Sequence, residues 1–152
     1  ALHANYGGNE TGDVMGRDRF ERYVVPLYNE AAEVFHKHGK LVGAHLDGNN
    51  KVWAKAVADS DLDYVEAFTP YPDCDMTLAE ALEAWPDKVL WINFPSSIHL
   101  SSHAEIAQTT RDLIEAAKPG NRFLIGITED IPEHRWQQNL VTIMDVIEEM
   151  TG

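Results

Sequence analysis

The sequence predicts an α/β fold built on a parallel sheet, on three observations. Short apolar, β-branched runs alternate with longer segments of helical periodicity. The runs are nearly continuous in hydrophobicity, as strands covered on both faces require. The spacing leaves one helical segment between successive strands, the βαβ arrangement.

Leu2-His3-Ala4-Asn5 reads as the tail of an earlier strand, and Tyr6-Gly7-Gly8-Asn9-Glu10-Thr11-Gly12-Asp13 is turn chemistry and so a loop. From Arg17 to about His38, Phe20, Tyr23, Val24, Leu27, Ala31, Val34 and Phe35 recur at helical spacing. Pro26 falls inside that pattern and must begin a second helix or kink one, while Gly39 is placed to cap its end. The strands follow as Leu41–Leu46, Tyr64–Phe68, Val89–Phe94 and Arg122–Ile127. Between the first two, Asn49 to about Asp59 forms a short helix carrying Val52, Trp53, Ala56 and Val57.

Thr77-Leu78-Ala79-Glu80 and Ser102-His103-Ala104-Glu105 are capping boxes, in which the hydroxyl and the Glu each satisfy an orphan backbone N–H. The helix after the second places Ile106, Leu113 and Ile114 on one face and stops at Pro119-Gly120. The last helix runs from about Trp136 to Met150 with Leu140, Ile143, Met144 and Ile147 facing a core.

The 152 residues fit a single domain, 1–152. A hydrophobic fraction of 44% with 24% charged residues is that of a globular chain. Acids outnumber bases 25 to 12, and the resulting net charge of -13 repels phosphates, which argues against nucleic acid and anionic membranes as partners. No apolar run approaches the ~20 residues that span a bilayer. Cys74 is the only cysteine, so an internal disulfide and a zinc site with two thiolates of this chain are excluded. That usage fits a reducing, cytoplasmic compartment. The first residues lack the basic and apolar regions of a signal peptide.

Polar residues gather where each strand ends. The first ends His45-Leu46-Asp47-Gly48, the second contains Glu66 and ends Thr69-Pro70, the third ends Asn93-Phe94-Pro95, and the fourth ends Thr128-Glu129-Asp130. In parallel α/β folds ligand sites collect at that edge of the sheet. Asp47, Asn49, Thr69 and Asp130 can alternatively serve only as caps of the following helices. His45 and Asp47, at i and i+2 of a strand, share a face. They can hold a divalent cation with a third ligand from another strand, or act as a general base with its orienting acid. Glu66, inside an apolar strand, needs a partner; it is a candidate acid/base, a substrate anchor, or half of an ion pair. GxGxxG, P-loop, HExxH and GxSxG signatures are absent.

In their order, His45-Leu46-Asp47-Gly48, Tyr64-Val65-Glu66-Ala67-Phe68-Thr69-Pro70, Trp91-Ile92-Asn93-Phe94-Pro95 and Ile127-Thr128-Glu129-Asp130-Ile131-Pro132 resemble the C-terminal half of the uroporphyrinogen decarboxylase superfamily. That superfamily includes the decarboxylase and the corrinoid- and zinc-dependent methyltransferases. The resemblance implies strands 5–8 of a (β/α)8 TIM barrel, with Leu2 to Asn5 ending strand four. A half-barrel leaves open edges and an uncovered face. The expectation is therefore a truncated chain lacking its N-terminal half, or a homo-oligomer.

The methyltransferase branch carries His-x-Cys-Gly, whose His and Cys bind zinc, and a further Cys at the last strand end. This chain has His45 and Gly48 but Asp47 in place of that Cys, with Glu129 or Asp130 near the second. The resemblance thus implies an oxygen-rich metal set of His45, Asp47 and Asp130, with Glu129 as the alternative, holding a divalent metal such as zinc. It also implies His45, Glu66 and Asp130 as catalytic groups and Tyr6, Asn9 and Asn93 as substrate-binding residues. The leading expectation is methyltransferase-like chemistry on a small molecule with a corrinoid on a partner protein. The alternatives are a decarboxylase of a porphyrinogen or related acid, and a non-catalytic half-barrel binding module. The decarboxylase's N-terminal Arg-rich motif is not in this chain, and its last-loop His has no counterpart at Thr128-Glu129-Asp130.

Overall fold

Five parallel strands lie side by side in chain order in the computed structural model, which describes residues 1–8, 10–127 and 130–152. They are β1 (His3–Tyr6), β2 (Leu41–His45), β3 (Tyr64–Phe68), β4 (Val89–Asn93) and β5 (Phe123–Gly126). Sequential order with a helical crossover between neighbours is the local rule of a (β/α) barrel, and this five-stranded parallel sheet is consistent with part of one.

The helices are α1 (Gly12–Met15), α2 (Arg17–Arg19), α3 (Val25–Lys37), α4 (Ala54–Ala58), α5 (Leu78–Ala84), α6 (His103–Ala116) and α7 (Trp136–Thr151). A π-helical segment, Phe20–Val24, joins α2 to α3, and Pro26 sits in the first turn of α3. Proline offers no N–H and crowds the carbonyl four residues back, so the hydrogen-bond ladder slips there and the chain stays helical. Gly39 ends α3 at φ 64°, a conformation that costs glycine little. Both capping boxes form, Thr77 with Glu80 and Ser102 with Glu105.

The core lies between the sheet and its helices. Val42, Ala44, Val65, Phe68, Leu90, Ile92 and Phe94 meet Trp85, Ile106, Leu113 and Ile143 there. Phe20 stacks on Trp53 at 4.2 Å and ties the π segment to the chain after β2. The last helix is turned from the expected face: Asn139, Ile143 and Val146 are buried and Met144 is 51% exposed. Asn139 is the anchor, its amide donating to the His99 carbonyl at 2.9 Å.

The opposite face of the sheet is the inside of the arc. Its lower half, toward the strand N-termini, is an apolar concavity of about 530 Å³ lined by Leu2, His3, Leu41, Tyr64, Val89, Trp91 and Leu124. Its upper half, at the strand C-termini, carries the polar groups. No helix among the described residues is long and apolar enough to cross a membrane.

Candidate active site

The site starts from strand register. His45 ends β2 and pairs directly with Glu66 in the middle of β3. Both therefore face the inside of the arc, as i and i+2 alternation requires. His45 Nδ1 lies 2.6 Å from Glu66 Oε2, and Asn5 of β1 donates its Nδ2 to that same oxygen at 3.0 Å. On the other side of the ring, His45 Nε2 lies 3.4 Å from Asp47 Oδ2.

Strict alternation along Tyr64-Val65-Glu66-Ala67-Phe68 would put Phe68 beside Glu66. A bulge between Glu66 and Phe68 prevents this. Ala67 takes φ 55°, a strained value for a residue with a Cβ, and Phe68 is left opposite Ile92. Phe68 turns to the helix side and meets Trp85 edge-on at 5.6 Å, while Glu66 keeps its inward aim.

Glu66 is 8% exposed, which a carboxylate tolerates only with donors around it. Burial disfavours the charged form of His45 and is the largest single influence on it. The Glu66 hydrogen bond and charge, then Asp47, together outweigh burial and push the His45 pKa above its ordinary value. The pair is a partly buried imidazole with carboxylates on both sides, able to hold a proton and to pass it on. Tyr64 extends the polar row downward: its hydroxyl donates to the Ala4 carbonyl at 2.7 Å and lies 3.1 Å from His3 Nδ1. Burial, and next the Glu66 charge, raise its pKa.

The loop after β2 is fixed from several directions. The Cys74 thiol donates to the Asp47 carbonyl at 3.0 Å. Buried Asn50 donates to the carbonyls of Leu46 and Gly48 and accepts from Trp53 Nε1 at 2.7 Å. Asp47 is thus held at the rim beside His45.

Of the other expected residues, Asp130 and Tyr6 lie apart from this pair. Asp130 lines a separate concavity of about 480 Å³ with Asp73, Ser96, Ser97, Leu100 and Pro132. There Asp73 accepts from Ser96 and Ser97; burial opposes its ionisation, but those hydrogen bonds prevail and hold its pKa below the ordinary value. Tyr6 pairs with Ala44 and so points to the helix side, 5.9 Å from the Tyr28 ring. Asn93 ends β4 fully buried, its amide 3.4 Å from Thr69 Oγ1. Asn9 and Glu129 lie outside the described residues.

The metal expectation is corrected. Among the described residues no three His, Cys, Asp or Glu side chains are grouped to hold a metal ion. The physical reason is in the geometry: Glu66 is engaged at Nδ1 of His45, and Asp130, the intended third ligand, sits in the other concavity. Among the described residues one imidazole nitrogen and one carboxylate remain, short of the donor set that zinc takes.

Asn5 was not singled out by the sequence, although it lies one residue short of the C-terminal end of an edge strand. The shortness of β1 hid it: with only four residues in the strand, its face cannot be read from an apolar pattern.

No curated protein matches the chain significantly. The family model described as uroporphyrinogen decarboxylase (URO-D) matches residues 6–150, nearly the whole length. The match is to the decarboxylase by description, and it covers the strand ends that carry His45, Glu66 and Asn93. The expectation of a corrinoid came from the same methyltransferase branch as the zinc, and the family match is described by the decarboxylase and not by that chemistry. Fold, strand-end chemistry and this match agree, and the chain belongs to the uroporphyrinogen decarboxylase family.

Proposed function

We propose that the chain carries the proton-transfer half of a decarboxylase site acting on a carboxylated small molecule, a porphyrinogen or a related acid. The observation that supports this reading is the 2.6 Å contact between His45 Nδ1 and Glu66 Oε2 at the C-terminal edge of the sheet. Decarboxylation breaks a C–C bond, releases CO2 and leaves the electron pair on carbon. That carbon must then receive a proton. His45, its pKa raised by two carboxylates, is the donor through Nε2, while Glu66 accepts from Nδ1 and stabilises the imidazolium. Solvent returns the proton after product leaves.

The acidic rim sets the substrate. Asp47 stands beside His45 Nε2, and the whole chain carries a net charge of -13. A polyanionic porphyrinogen is repelled by such a surface, and an acid of lower charge is favoured. The test is release of labelled CO2 from carboxyl-labelled uroporphyrinogen and from monocarboxylic pyrrole acids. The reading expects release from the less charged acids, and a loss of roughly a hundredfold or more in His45→Gln. Failure of every acid in the panel overturns it.

A further inference from the structure

The geometry points to Asn5 as a positioning residue that fixes the orientation of Glu66 and, through it, the tautomer of His45. This rests on the His45–Glu66 reading of the site.

Asn5 and Glu66 lie on strands that are not neighbours, and β2 runs between them. Across the sheet Asn5 pairs with Gly43, and Gly43 pairs with Tyr64. Gly43 presents no side chain on the inner face, and two side chains cross β2 at that gap. The Tyr64 ring crosses toward β1 to reach the Ala4 carbonyl. The Asn5 amide crosses toward β3 and reaches Glu66 two residue pairs higher.

Glu66 Oε2 then accepts twice, from Asn5 Nδ2 at 3.0 Å and from His45 Nδ1 at 2.6 Å. An amide nitrogen can only donate, so Glu66 Oε2 is the acceptor in this contact. With Oε2 held from two directions the carboxylate plane cannot turn, and the proton of neutral His45 stays on Nδ1. Nε2 is left as the nitrogen presented to the rim, where Asp47 lies. A carboxylate held only by His45 would be free to rotate about its last bond, and both tautomers would be populated. Asn5 touches no reacting atom; it acts through Glu66.

The experiment is long-range ¹H–¹⁵N NMR of the His45 ring at a pH where the ring is neutral, in the full chain and in Asn5→Asp and Asn5→Leu. Asn5→Asp keeps the side-chain shape and replaces the donor with an acceptor. The expected result is a single Nδ1–H pattern in the unaltered chain. In Asn5→Asp the two ring nitrogens should shift toward a common averaged value, with backbone amide spectra otherwise unchanged. Asn5→Leu, where folded, gives the same averaging. A His45 pattern that stays single in Asn5→Asp overturns the inference, and so does an averaged pattern in the unaltered chain. The readout needs no substrate. Loss of decarboxylation with a retained Asn5 effect sinks the proposed function alone, and the reverse result sinks the positioning role alone.

Discussion

His45 and Glu66 are direct partners across the β2–β3 seam, and their side chains meet at 2.6 Å on the inside of the arc. The contact is dictated by register: a slip of one residue in either strand would send its member of the pair to the helix side. The bulge at Ala67 lets β3 serve two ends, aiming Glu66 inward and Phe68 into the core. Function and stability therefore share one short strand.

The pair has a consequence for stability. The folded-state pKa of His45 is raised above its ordinary 6.5. Its contribution is fully present below that value and is lost as pH rises through the folded pKa. Glu66→Gln removes the largest raising influence and leaves burial, which lowers the pKa, opposed only by Asp47. Urea unfolding between pH 6 and 8.5 should show a decline with pH in the unaltered chain and a flatter profile in Glu66→Gln. Parallel profiles would show that the pair carries no such linkage.

His99 should give the opposite slope. It is 1% exposed, its Nε2 has no partner among the described residues, and burial, followed by the Arg135 charge, lowers its pKa. Its contribution is present above 6.5 and is lost as pH falls toward the folded value. His99→Phe keeps the ring contact with Phe94, now 5.0 Å, and leaves the Asn139 amide on the His99 backbone carbonyl. Stability at pH 7 should change by less than about 1 kcal/mol, and the acid-side slope should shrink. A loss of several kcal/mol at pH 7 would mean that the imidazole makes an essential bond.

Gly43→Ala tests the gap in the inner face. A Cβ there would fall 2.2 Å from the Tyr64 ring. Tyr64 must move, releasing its hydroxyl from the Ala4 carbonyl, and β1 loses an anchor. The expected cost is about 1–3 kcal/mol by denaturant titration, with weakened hydrogen-exchange protection in β1. An unchanged midpoint would show that the ring relocates freely.

The sequence made the sheet legible because buried parallel strands are apolar throughout, and each predicted strand lies within a residue or so of the observed one. The capping boxes were legible because they are local. The site was legible in part. His45 and Glu66 announce themselves by polarity inside apolar strands, but their partnership depends on register, which no single strand encodes. In the sequence Tyr6 reads as the first residue of a loop; the structure makes it the last residue of β1, with its ring 5.9 Å from that of Tyr28. Asp130 looked like a third ligand because it ends a strand, yet its loop carries it to Asp73 and the serines. Lys88 was silent in the sequence. It is 4% exposed, with its ammonium donating to the carbonyls of Ser60 and Leu62. Only the fold brings those carbonyls together.

The central claim is that His45, held by Glu66, is the acid that protonates carbon after CO2 leaves. The pH dependence of kcat, compared between the unaltered chain and Glu66→Gln on whichever labelled acid releases CO2, tests it most directly. An acid must be protonated to act, so activity should fall as pH rises through a His45 pKa above 6.5, and Glu66→Gln should move that fall to lower pH. A basic limb that stays in place when Glu66 is neutralised would contradict the claim.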